Sequence, residues 1–119
     1  YISGIVPPDW TPGSGWTFAA NWYQIDGGAA GTIVRFNVSA ACAGGAGEVY
    51  NTPAYTAEAS IDKSTPTTVS TYAISSASGL TLPPSCSPGK IISIRLKRDN
   101  TATGNYTGNA RVTYGYITY

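Results

Sequence analysis

The 119-residue chain carries a net charge of +1, only 11% charged residues and no His or Met. So even a balance gives no broad field for holding nucleic acid or an anionic membrane surface, and the lack of His removes the usual general base and any Ser–His or Cys–His nucleophile. Fourteen Gly, eight Pro and nine Tyr, with few strong helix formers, favour short strands joined by tight turns.

Residues 1–119 read as a single domain, long enough to bury a core without a metal or a disulfide framework. Tyr1-Ile2-Ser3-Gly4-Ile5-Val6 looks like a strand already under way, with no initiating Met and no signal peptide. The expectation is a mature product or a piece of a longer chain. Next, Trp16 to Tyr23 alternates with Trp16, Phe18, Ala20 and Trp22 on one face. After an Asp26-Gly27-Gly28 turn, Thr32 to Ser39 sends Val34, Phe36 and Val38 to one side, with Ile33, Arg35 and Asn37 on the other. The Gly-rich stretch Ala41 to Gly47 then breaks the pattern.

Weaker strands are expected at Tyr55–Ile61 and Thr68–Ile74, divided by Asp62-Lys63-Ser64-Thr65-Pro66, and Leu80-Thr81-Leu82 stops at Pro83-Pro84. The clearest strand, Ile92 to Lys97, turns Ile92, Ile94 and Leu96 inward and Ser93, Arg95 and Lys97 to water. A polar loop, Asp99 to Gly108, leads to a last strand from about Ala110 to Tyr119. About eight strands and no helical period predict an all-β, antiparallel, jelly-roll-like sandwich. No run approaches the 18 apolar residues of a membrane span. Phe18, Trp22, Val34, Phe36, Ile94 and Leu96 are expected in one core.

Cys42 and Cys86 either pair or remain as two small buried thiols. Both stand in Gly-, Pro- and Ser-rich segments, which favours a bond; its loop of about 45 residues would contribute on the order of 3–4 kcal/mol on the chain-entropy model. Neither spacing suggests zinc or redox chemistry. Six carboxylates, Asp9, Asp26, Glu48, Glu58, Asp62 and Asp99, are scattered, and most sit in turns where Asp caps its own backbone. The reading is therefore a non-enzyme with no cofactor. Asp99-Asn100-Thr101 with Asn105 offers oxygen atoms, but without a calcium-loop pattern it reads as a hydrogen-bonded polar loop, and no metal is assigned. Arg95, Lys97 and Arg98 read as a solvated strand face rather than a nucleic-acid site.

Among the aromatics, Trp16 and Trp22 share a face with Phe18 and read as core. Trp10, in Pro7-Pro8-Asp9-Trp10-Thr11-Pro12-Gly13, is the freer candidate for stacking a sugar. Tyr114, Tyr116 and Tyr119 suit an outer surface or a subunit contact, being half apolar and half wet. Asn37-Val38-Ser39 and Asn105-Tyr106-Thr107 match the glycosylation acceptor pattern, Asn105 on a loop and Asn37 in mid-strand.

The two ends of the chain together resemble a family. Ile5-Val6-Pro7-Pro8-Asp9-Trp10, with the strand ending Asn21-Trp22, is similar to the opening of small β-sandwich domains found in tailed-phage and prophage virion proteins and related environmental sequences. Pro88-Gly89-Lys90, Leu96-Lys97-Arg98-Asp99, Thr103 to Asn105, Tyr106-Thr107-Gly108-Asn109-Ala110-Arg111 and the terminal Tyr119 resemble their close. The resemblance covers about half the chain and implies a jelly-roll-like domain without enzymatic activity. Asn105 and Asn109 stand where the family often has Asp. Tyr114-Gly115-Tyr116 replaces its usual apolar ending, which suggests that the last strand meets a partner.

Function is accordingly expected to be that of a structural subunit in an extracellular or virion assembly, a phage appendage or a surface filament. Its partners would be copies of itself or neighbouring domains, met through strand edges at Tyr1, Ile2, Ile5, Tyr114, Tyr116 and Tyr119. In the filament version a strand is exchanged between neighbouring copies. The rival expectation is a carbohydrate-binding module that uses Trp10 and exposed Tyr to hold a surface glycan.

Overall fold

A computed structural model of the chain describes residues 1–26, 31–44, 54–68, 70–84 and 86–119. The Gly27-Gly28 part of the expected turn, the Gly45–Gly47 part of the Gly-rich stretch, and Glu48 lie outside the described residues. Seven strands are present among the described residues: β1 (Ile2–Ile5), β2 (Trp16–Gln24), β3 (Ile33–Ala43), β4 (Ala59–Ser64), β5 (Tyr72–Leu80), β6 (Ile91–Asp99) and β7 (Ala110–Thr118). They form two sheets, ordered β1-β6-β3-β4 and β5-β2-β7. Every strand pairing is antiparallel. The protein is an antiparallel β-sandwich with no helix among the described residues.

The count is seven rather than about eight because Leu80 closes β5 instead of opening a separate strand, while Leu82 is buried outside any ladder. The middle of the chain shifts most against expectation. β4 begins at Ala59 and runs through Asp62-Lys63-Ser64, residues expected to turn. Cross-strand chemistry overrides the local signal there: Arg35 on β3 lies opposite Asp62, and its guanidinium grips both carboxylate oxygens at 2.6 and 2.7 Å. β5 is carried into its Ser/Ala/Gly segment by pairing with β2, in register from Tyr23↔Tyr72 to Phe18↔Ala77. Strand formation in that segment is set by its neighbour, not by its own propensity.

β3 also outlasts its expected end at Ser39. Ala40, Ala41, Cys42 and Ala43 continue the ladder because Ile94, Ser93, Ile92 and Ile91 of β6 pair with them. Cys42 thus lies in a strand, not in a turn-like segment. It is bonded to Cys86, with Cα atoms 5.2 Å apart. The disulfide ties a central strand of one sheet to the segment that leads into β6.

The core divides into two clusters. The larger gathers Val6, Trp10, Trp16, Phe18, Ala20, Val38, Ile92 and Ile94 with Cys86. The smaller holds Trp22, Val34, Phe36, Ala73 and Tyr106. Leu96 and Val112, partly buried, touch both clusters, so the single core expected from the sequence is two cores sharing a seam. In the smaller one Trp22 meets the Phe36 ring edge-on at 6.0 Å and donates its indole N–H to Ser75 Oγ at 2.8 Å. This partner satisfies a polar atom that alternation forces inside.

Candidate functional site

The first and last strands come together. β1 is one edge of the four-stranded sheet, and β7 is one edge of the three-stranded one. They lie on the same side of the sandwich, because Ile2 Cδ1 and the Phe18 ring occupy the space that a side chain at Gly115 would need. A Cβ there would sit 2.6 Å from the first and 2.9 Å from the second. Ile2 therefore points inward and packs on the core, a correction to its expected place at an interface. Its neighbours do face out: Tyr1 is 85% exposed and Ile5 69%. Ile5 lies opposite Ile91, itself exposed. Tyr119, also exposed, donates its hydroxyl to the Asp9 carboxylate at 2.8 Å, and that bond raises its pKa above the usual tyrosine value.

The outer faces of the two sheets differ in chemistry. On the four-stranded sheet two ion pairs stand out, Arg35 with Asp62 and Arg95 with Glu58 at 3.1 Å. Asn37 donates to Glu58 and Asp99 and accepts from Ser60. Tyr55 lies beneath the Arg95 guanidinium, 4.7 Å from ring centroid to carbon, and near Tyr1 at 6.4 Å. On the three-stranded sheet, strand register places Ala19, Asn21 and Tyr23 between Tyr72 and Ile74 of β5 and Tyr114 and Tyr116 of β7. Tyr72, Ile74, Tyr114 and Tyr116 are all exposed. One face carries ion pairs and an exposed Lys97, and the other is a nearly uncharged aromatic surface.

Several sequence-based site assignments change. Trp10 is only 5% exposed and belongs to the larger core cluster, so it presents no ring to a sugar. A turn that closes from the Trp10 N–H to the Pro7 carbonyl at 3.2 Å folds the indole back inside. The side-chain nitrogen of Asn37, which a glycan would take, is engaged by two carboxylates in the middle of β3. Asn105 bridges to Ile33 and has its side-chain oxygen buried. The Asn37 amide is therefore engaged within the sheet, whereas at Asn105 only the side-chain oxygen is buried. Asp99 accepts from the Thr101 N–H and from Asn37, which draws both carboxylate oxygens into the protein's own bonding.

Arg98 is not part of a solvated face. It lies opposite Phe36, rides over the Tyr106 ring at 5.5 Å and donates to the carbonyls of Tyr106 and Gly108. Tyr106 in turn donates to the Asp26 carbonyl at 2.7 Å. These two residues fasten the loop before β7 to the smaller core, a role that their local sequence does not signal. An open cleft of about 470 Å³ lies between residues 56–59 and 80–84. Its one carboxylate, Glu58, is committed to Arg95. Among the described residues no group of three or more His, Cys, Asp or Glu could hold a metal ion. No helix among them is long and apolar enough to cross a membrane. No family model, curated protein or solved structure matches the chain, and its own geometry carries the functional reading.

Proposed function

We propose that the protein is a non-enzymatic structural module of an extracellular or virion assembly, and that it joins copies of itself or neighbouring domains along the β1/β7 side. The observation that carries this reading is the closeness of two sheet edges on one side of the sandwich, flanked by exposed Tyr1, Ile5 and Tyr119. An edge strand presents unpaired backbone N–H and C=O groups, and proteins that stay single usually guard such edges with Lys, Pro or a covering element. β7 runs nine residues with Arg111 as its one charge. Adding a strand there would extend the β5-β2-β7 sheet by backbone hydrogen bonds alone. The disulfide suits an oxidising compartment. The virion-domain resemblance supports the same reading.

The test is association in solution. Ile5→Lys and Tyr119→Lys, singly and together, place charges beside the two edges without touching the core. Wild-type protein is expected to grow in mass with concentration by light scattering, and the double variant to stay monomeric. A wild-type protein that remains monomeric at millimolar concentration would refute the reading.

A further inference from the structure

We propose that the outer face of the β5-β2-β7 sheet is a binding face for neutral carbohydrate, separate from the β1/β7 edge. Tyr114 and Tyr116 stand two residues apart on β7 with ring centroids 6.3 Å apart and planes tilted by only 32°. At 58% and 43% exposure they form a two-ring tile open to solvent. On the far side Tyr72 and Ile74 rise from β5, with Tyr72 held edge-on by Tyr23 at 5.4 Å. Between these flanks the central strand is low: Ala19 and Asn21 occupy the floor.

Asn21 decides the chemistry of the occupant. The residue is only 6% exposed, and it lies between Tyr114 on one side and Ile74 on the other. Its backbone carbonyl accepts from Thr113 Oγ1. Among the described residues no partner meets its side-chain amide. An apolar protein surface laid over this floor would seal an unsatisfied amide and incur the desolvation penalty of that group. A sugar does the opposite. Its C–H face rests on aromatic rings whose π faces are negative, while its hydroxyls supply both the acceptor and the donor that an amide needs. Charge points to a neutral ligand. The one ionic group on the face, Arg111, is at its end and leans on Tyr23 Oη at 3.4 Å.

Affinity electrophoresis through gels containing a soluble β-glucan, a mannan, a galactan or, as an anionic control, alginate tests the proposal. Wild-type protein is expected to be retarded by at least one of the three neutral polymers more strongly than by alginate. Tyr114→Ala, Tyr116→Ala and Asn21→Ala should each weaken that retardation about tenfold or more. Tyr116→Phe, which keeps the ring, should retain most of it. Asn21→Ala should leave the thermal midpoint unchanged or raise it, since it removes an unpartnered amide. Ile5→Lys should bind as wild type does, which separates this face from the association edge. Retardation by none of the neutral polymers, or equal retardation of wild type and the three alanine variants, would overturn the proposal. So would a fall in the Asn21→Ala midpoint matching its loss of binding, because that result assigns Asn21 to the fold.

Discussion

Two residue-scale interactions have consequences that the sandwich alone does not dictate. The Trp22 indole is fully buried, and Ser75 Oγ is its hydrogen-bond acceptor at 2.8 Å. Ser75→Ala leaves a buried donor unsatisfied and is expected to destabilise the protein by about 1–3 kcal/mol in urea unfolding, with little change in the slope. Asp62 is the second case. The hydrogen bond from the Arg35 guanidinium holds its carboxyl below the ordinary value. For Asp99 the bonds from Thr101 do the same. A carboxylate whose pKa is lowered by folding stabilises the protein above the unfolded-state value and loses that contribution as pH falls through the folded one. The urea midpoint should therefore drop as pH falls below the ordinary aspartate value of about 4. Asp62→Asn should flatten part of that slope. The effect is small, because both side chains of the pair are partly exposed and solvent screens them.

At the scale of elements, the strands that alternate cleanly were legible. β2, β6 and β7 stand within a residue or two of their expected bounds, and in β6 the alternation is recorded directly, with Ile92 and Ile94 buried between more exposed neighbours. β4 and β5 were not, since their limits depend on partners far along the chain: Asp62 is held in a strand by Arg35, and the Ser/Ala segment by β2. The cysteine pair was expected, but its placement was not. Cys42 sits in β3 because β6 continues to pair with the alanines around it. The bond closes a separation of 44 residues. Replacing both cysteines with Ala is expected to remove on the order of 3–4 kcal/mol and lower the melting temperature by roughly 10–20 °C in calorimetry. An unchanged melting temperature would mean that the unfolded chain gains little freedom from losing the link.

For the whole molecule, the sequence indicates that tyrosines near the C-terminus face outward, but not which surface they share. That β1 and β7 meet on one side depends on sheet order, and Asn21 gains its meaning only from Tyr114 and Ile74 beside it. Trp10 shows the converse: a residue among prolines and glycines looks free by local rules, yet the turn returns it to the core. In the proposed assembly the neighbouring β1 and β7 edges join one molecule to the next. Amide hydrogen exchange measured across a range of protein concentrations tests it most directly, because it reads backbone groups at each edge separately. Protection in residues 110–118 is expected to rise with concentration, with a smaller rise in residues 2–5 and none in β4. Exchange in β7 that is indifferent to concentration, or protection that rises at β4 instead, would contradict the account.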